Sequence, residues 1–438
     1  MQRRDIINIR DPIHGSIVVS IKELKLIDQP AFQRLRNIKQ LGFADLAFPG
    51  GTHTRYSHSL GAMHVATQVF DRLFQPGDLP EDIRLQYRQL VRLAMLFHDI
   101  GHAPLSHTTE MLMPKVGALS LTAQEVGPDL DRQATHEDYT LKLLIDSPLT
   151  ATINQYFSGD GISPRMIAGL IFAELNKGQY KVDGLDYGPI LRQIVTSECD
   201  ADRMDYLQRD SFFCGVSYGK FDAQWLIDNV IPVQQDGAVF LGLQSRAIFS
   251  FEDFLLSRYH MFASVYFHHT PVIFEKLLEK YMAEEKNFQL PHDIEAYVAL
   301  DDVDFWHRLR KSTNPWAKRI VNRKPFYLLD ESRQGHNDGV HDDHHTQLCE
   351  RLSEKNIELI ATRSRSVLSK YFGHGKIPIY VCTNAGQLVG LEQYTPLYQR
   401  YQSPALIDRI YIAPENREAA SVVLNKFVLE RYPNGKKG

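Results

Sequence analysis

Histidine and carboxylate side chains at helical spacing are the residues of this chain best suited to chemistry. The 438-residue sequence holds 18 histidines, gathered in a few segments, and three of them are followed directly by aspartate: His98-Asp99, His292-Asp293 and His341-Asp342. Imidazole nitrogen and carboxylate oxygen together suit a borderline divalent ion that keeps open positions for water or phosphate. Context separates the three pairs. His292-Asp293 follows Pro291 and opens a helical pattern, where an acidic residue caps free amides. The tract from His336 to His345 lies in the polar, glycine-containing stretch ESRQGHNDGVHDDHH, which reads as a solvated loop. His98-Asp99 instead ends the apolar run LVRLAMLFHDIGHAPLSH, so a core helix can hold both side chains rigidly. His102, four residues on, is expected on the same helical face.

Three further polar-rich helices can converge on that pair. They are RYSHSLGAMH with Arg55 and His58, ATHEDY with His136 and Glu137, and CDADRMDYLQRD, where Asp202, Tyr206 and Asp210 share a face. Apolar residues at three- and four-residue spacing run from Ile21 to about Leu290, which predicts a helical bundle over 1–290. Within it QQDGAVFLGL, with Asp236-Gly237 at its turn, reads as a small hairpin away from the site. Beyond Pro291, helical DIEAYVALDDVDFWHRL gives way to candidate strands KPFYLLD, KIPIYVCT, QLVGL and DRIYIAP and a last helix, NREAASVVLNKFVLERY. The expected fold is mainly α, with a smaller C-terminal α+β domain over 291–438 for oligomerisation or regulation.

Composition narrows the class. The chain is 43% hydrophobic and 23% charged, with no apolar run near the ~18 to 20 residues of a spanning helix. No apolar signal-peptide core follows MQRRDIINIRDPIHG, so a cytoplasmic enzyme without membrane contact is expected. The four cysteines form no CxxC pair, which argues against a zinc knuckle or a disulfide framework. A net charge of -4 disfavours a protein that coats nucleic acid.

The ordered set His58, His98-Asp99 and Asp202 resembles the signature of the HD superfamily. Within it the chain is similar to the deoxynucleoside triphosphate (dNTP) triphosphohydrolases related to the vertebrate sterile-alpha-motif and HD-domain protein. The likeness runs through DPIHGSI, QPAFQRLRNIKQLG, FPGGTHTRYSHSLG, LFHDIGHAPLSH, DADRMDYLQRD and RYHMFASVYFHH. It implies an HD-domain helical bundle that holds a divalent metal, iron, manganese or zinc, on His58, His98, Asp99 and Asp202. It also implies a proton-transfer network of His102, His107, Glu110, His136 and Glu137, with His107 as the acid. The imidazole's unperturbed pKa of about 6.5 suits that task. The substrate set is Gln40, Leu41, Arg55, Arg203, Tyr206, Asp210, Arg258, Tyr266 and His268, with magnesium on the phosphates. Tyr266 would be the wall that excludes a ribose hydroxyl. Asp28, Gln33, Arg36 and Arg323 match effector contacts in nucleotide-regulated homo-oligomers, dimers or tetramers. The implied reaction releases deoxynucleoside and intact triphosphate.

Two other readings stand beside this one. Another HD reaction, by a nucleotidase, phosphodiesterase or alarmone hydrolase, would use the same metal ligands without the triphosphate-and-sugar set. A non-catalytic nucleotide or nucleic-acid binder would show a broken metal set or a basic groove with interleaved aromatics.

Overall fold

The computed structural model of the chain describes residues 6–175, 178–285, 288–334, 343–366, 377–397 and 405–431. A helical HD core carries a smaller C-terminal α+β region. The helix Arg55–Leu73 is the core's centre, with buried residues on every side, as expected of a helix with no marked polar face. Against it pack Glu81–Phe97 and Ala201–Cys214. Glu81 and Asp82 favour the first turn of the former, and its second half is buried from Leu90 to Phe97. Gly61 lets Ala201–Cys214 approach closely, because a Cβ there would lie 2.0 Å from Asp205 Oδ1 and 2.2 Å from Arg209 Nη2.

The N-terminus forms an antiparallel hairpin, β1 (Ile6–Asp11) with β2 (Gly15–Ser20), whose Ile17 and Val19 enter the main core. The short strands β3 (Lys181–Val182) and β4 (Leu185–Asp186) precede the expected hairpin of β5 (Val230–Gln235) and β6 (Ala238–Gln244). Asp236 and Gly237 both take positive φ, 50° and 75°, as that two-residue turn requires. In the C-terminal region β7 (Tyr327–Gln334) and β8 (Leu359–Ser366) flank β11 (Ala405–Ile412) in an antiparallel sheet. Helices His344–Glu354 and Arg417–Arg431 cover it around a second, smaller cluster that includes Leu348, Ile410 and Phe427.

The two strands β9 (Tyr380–Cys382) and β10 (Leu388–Gly390) do not join that sheet. β9 pairs in parallel with β6, Gly242 opposite Tyr380, and so belongs with the β5–β6 hairpin and its neighbours β3 and β4. Tyr297, Phe305, Ile320 and Val381 also lie in the main core, so the packing crosses a boundary drawn at residue 290.

Two local expectations need correction. The Glu81 helix stops at Phe97 with His98 as its C-cap, so His102 is not on a helical face with His98; successive turns, His102 N–H to Asp99 O among them, bring it back instead. Glu331–Gln334 of the expected loop continues β7, and His344 opens a helix while bonding Asp330; residues 335–342, with His341-Asp342, lie outside the described residues. Asp293, by contrast, caps its helix by accepting from Ala296 N–H, in keeping with its place after Pro291.

Candidate active site

Two histidines are held so that the same nitrogen of each faces one point. His98 Nδ1–H donates to Met95 O at 2.7 Å, and His58 Nδ1–H donates to Asp205 Oδ2 at 2.8 Å. With Nδ1 occupied, Nε2 carries the lone pair on both rings, and the two Nε2 atoms stand 3.3 Å apart. Asp202 Oδ1 lies 3.0 Å from the first and 3.4 Å from the second. Asp99 Oδ1 is 3.5 Å from His98 Nε2, and its Oδ2 is 3.7 Å from His58 Nε2.

The spacings among His58, His98 and Asp202 are what a cation requires, since ligands at ~2.0 to 2.2 Å from one ion sit roughly 3 to 3.5 Å from each other, and Asp99 stands at the edge of that group with one oxygen on Arg55. Facing lone pairs repel unless a positive charge stands between them. Without one the protein supplies a proton: burial alone would push the His58 imidazole down, but Asp202 and Asp205 outweigh it and raise it to about 10. His98 is raised too, against its burial, by Asp99 and Asp202. Burial would lift the Asp202 carboxyl, yet the two histidines hold it well below the usual carboxylate range. The donor set therefore fits a divalent metal.

Asp99 also takes a short bond from Arg55 Nη1, while Arg55 Nε donates to Ser106 Oγ at 2.9 Å. His102 Nε2 is 3.3 Å from Asp99 Oδ1. Burial, with Arg55 and His136 close by, drives His102 well below its ordinary value and keeps it neutral. The chain then passes Leu105 and Ser106, both in the left-handed region at φ 58°, a conformation that costs roughly 1–3 kcal/mol and clusters at functional sites. Asp302 steadies this bend by accepting Leu105 N–H at 2.7 Å.

That bend delivers His107. His102 stacks on His136 at 3.8 Å between ring centroids, with His107 edge-on to both. Glu110 joins the group, accepting from His107 Nδ1–H at 3.1 Å and from His136 Nδ1–H in a shorter bond. Burial would raise Glu110, but the two imidazoles hold it down at about 2, so it stays ionised. Glu137 is exposed and near Arg132 and Arg192; the carboxylate that serves these histidines is Glu110.

A cavity of about 500 Å³ opens beside both clusters. Its walls include Gln40, Leu41, Arg55, Asp99, His102, His107, His136, Asp202, Arg203, Tyr206, Asp210, Arg258 and Tyr266. Arg203 and Arg258 converge on Glu198, each at 3.3 Å. The helix Ile248–Met261 widens into a π turn over Phe262–Tyr266, a feature common at functional sites, and this aims Tyr266 O–H at Asp210 Oδ2, 2.7 Å away. His53 holds the other oxygen of Asp210 at 2.8 Å. Gln40 Oε1 is buried without a hydrogen-bond partner among the described residues. His268 does not line this cavity: it caps the helix His269–Glu284, its Nδ1 accepting Thr270 N–H, and burial beside His269 lowers its pKa.

The effector set divides. Arg36 and Arg323 line a second cavity of about 530 Å³ with Lys39 and Arg310. Asp28 caps a short helix, and Gln33 accepts from Arg36 Nε at 2.8 Å while donating to Ile27 O, so neither lines that cavity. Sequence reasoning does not find His14, His53, Glu198, Asp205 or Arg209. Of these, Asp205 and Arg209 carry a signal, because their i, i+4 spacing places a carboxylate and a guanidinium side by side.

Comparison with known proteins agrees with this geometry. The HD domain family model matches residues 55–210, and the HD associated region matches 221–347. An uncharacterized protein of Methanocaldococcus jannaschii is 30% identical over 73% of this chain and 59% of its own length. A protein of Dictyostelium discoideum named deoxynucleoside triphosphate triphosphohydrolase SAMHD1 homolog is 29% identical over 74% of this chain and 60% of its own. The chain thus spans under two-thirds of either relative. A crystal structure of a hypothetical protein from Aquifex aeolicus, 30% identical, superposes with a TM-score of 0.74 over 96% of this chain and 100% of that one. An HD domain implies a divalent metal, the His58, His98 and Asp202 group offers it ligands, and with the family match over that same group the chain belongs to the HD-domain superfamily of phosphohydrolases, as a SAMHD1-like member.

Proposed function

We propose that the chain hydrolyses dNTPs to deoxynucleoside and inorganic triphosphate. One observation carries the reading: a single cavity gathers Asp99 and Asp202, three arginines, the three clustered histidines His102, His107 and His136, and the Tyr206, Tyr266 and Asp210 wall. The name of the Dictyostelium relative supports it.

A bound divalent metal would supply Lewis-acid charge for the phosphate oxygens and favour hydroxide as the nucleophile. Arg55, Arg203 and Arg258 supply cationic donors for three phosphates. Water attacks the α-phosphorus and gives up a proton to solvent, the bond from that phosphorus to the 5′ oxygen breaks, and the electron pair leaves with the 5′ oxygen. His107 gives that oxygen its proton, and Glu110, ionised beside it, orients the ring by accepting its Nδ1–H. Gln40 and Asp210 offer the sugar hydrogen-bonding groups, while the pinned Tyr266 leaves no room for a 2′-hydroxyl.

The second cavity is assigned to an effector nucleotide, with Arg36 and Arg323 as anion donors, in a homo-oligomer to which the C-terminal region contributes. Incubating the protein with each dNTP and NTP, with manganese or magnesium and with mixed nucleotides, tests the reading by chromatography and phosphorus NMR. Deoxynucleoside plus tripolyphosphate is the expected product pair. A nucleoside mono- or diphosphate product refutes it and favours another HD reaction.

A further inference from the structure

The N-terminal hairpin reaches the metal set from behind. Its turn is closed by Asp11 Oδ1, which accepts the N–H groups of Ile13 and His14 at 2.9 Å each, with Gly15 in the left-handed region at φ 73°. The turn thereby presents His14 inward, its side chain 9% exposed, and His14 Nε2–H donates to Asp205 Oδ1 at 2.6 Å. On the far side of the same carboxylate, His58 Nδ1–H donates to Oδ2 at 2.8 Å. Arg209 Nε and Nη2 fill the remaining positions at 2.8 Å each, and Arg209 Nη1 returns to Asp11 Oδ2 at 2.8 Å.

Asp205 therefore accepts two hydrogen bonds on each oxygen, all from groups buried with it, and Gly61 stands against it where no larger residue fits. A carboxylate held on four sides cannot rotate, so it fixes both the plane and the tautomer of His58. The outer partners of a metal-bound imidazole set its orientation and basicity, and losing one typically costs 10- to 100-fold in metal affinity. We propose that His14 is a positioning residue for the metal centre, acting through Asp205 on His58, so that the β1–β2 hairpin is part of the metal site although it holds no ligand.

The inference rests on the metal reading and is independent of which nucleotide is cleaved. Its test is the dissociation constant for Mn²⁺, followed by the EPR signal of the free ion, in the full chain and in His14→Ala, His14→Gln and Ser16→Ala. Ser16 lies on the same hairpin with its hydroxyl bonded, among the described residues, only to exposed Asn8. His14→Ala should bind Mn²⁺ several-fold more weakly, up to about the 10-fold that marks the low end for a direct outer partner such as Asp205, Ser16→Ala should match the parent, and His14→Gln, whose amide can still donate to Asp205, should recover most of the loss. Should His14→Ala fail to fold, His14→Asn takes its place, since its amide is too short to reach.

Equal Mn²⁺ affinity in the parent and in the folded Ala or Asn variant overturns the relay and leaves His14 a structural pin. The relay is overturned as well if Gln binds as weakly as Ala or Asn. Failure of the parent chain to bind Mn²⁺ would overturn the metal reading itself, and the two failures are thus distinguishable.

Discussion

Replacing Gly61 with alanine puts a methyl group where Asp205 and Arg209 already stand. The added Cβ would fall 2.0 Å from Asp205 Oδ1 and 2.2 Å from Arg209 Nη2, whereas ordinary non-bonded contact begins near 3.5 Å. Something must retreat by more than an ångström, and both neighbours are fully buried. If the helices Arg55–Leu73 and Ala201–Cys214 separate, the cost is that of overpacking, about 1–3 kcal/mol. If the ion pair opens instead, a buried charge loses its partner at about 3–5 kcal/mol. The molecule takes the cheaper route, so Gly61→Ala should lose at least about 1 kcal/mol and bind metal more weakly through displaced Asp205. Urea unfolding and Mn²⁺ titration read both effects. Gly159→Ala is the control, because its Cβ meets nothing within 4 Å and its backbone is ordinary. If Gly61→Ala unfolds at the same urea concentration as the parent and binds Mn²⁺ equally well, the close approach is not what holds Asp205 in place.

Other outcomes follow from the same geometry. His98→Ala and Asp202→Ala should each abolish hydrolysis and reduce bound metal to background by elemental analysis, with helical circular dichroism retained. Glu110→Gln should lower kcat by roughly 10²-fold or more, while Glu137→Gln stays within about two-fold of the parent; the reverse order would restore Glu137 to the proton network. Arg36→Ala and Arg323→Ala should remove stimulation by added nucleotides and leave basal turnover unchanged, as seen in rate against effector concentration. For acid stability, Glu23 is buried with Arg92 bonded to both its oxygens. Burial would raise its carboxyl, but Arg92 and the Ser20 amide hold it below its ordinary value. A folded pKa below the unfolded one means that its contribution is full above about pH 4 to 5 and fades as pH falls toward the folded value. Glu23→Gln should therefore destabilise the protein at pH 7 by about 3–5 kcal/mol, with the loss shrinking steadily as pH falls below about 4 to 5, in denaturant midpoints measured across that range.

The helical core is legible in the sequence because its signal is local. The apolar run that ends in LVRLAMLF, the polar-rich helices carrying His58 and Asp202, and the turn at Asp236-Gly237 all reappear in the fold. Of the expected metal set, His58, His98 and Asp202 come together because they lie at or beside the ends of Arg55–Leu73, Glu81–Phe97 and Ala201–Cys214, with Asp99 next in the chain to His98. What cannot be read is non-local or non-helical. His102 reaches Asp99 through turns after Phe97 rather than along a helix, since the chain leaves helical geometry before its hydrophobic pattern does. Glu110 rather than Glu137 serves the histidines because two left-handed residues reverse the chain, and nothing in Leu105 or Ser106 announces positive φ. β8 escapes a periodicity argument, as LIATRSRS alternates too weakly, and β9 pairs with a strand far away in the chain, a contact no local pattern encodes. The link from His14 to His58 is of that kind too, spanning a hairpin and a distant helix.

The claim that water attacks the α-phosphorus can be tested with isotope. Hydrolysis of a dNTP in H₂¹⁸O, followed by phosphorus NMR and mass spectrometry of both products, should place ¹⁸O on a terminal phosphorus of tripolyphosphate and none in the deoxynucleoside. Label in the deoxynucleoside, or in orthophosphate or pyrophosphate, would contradict the account.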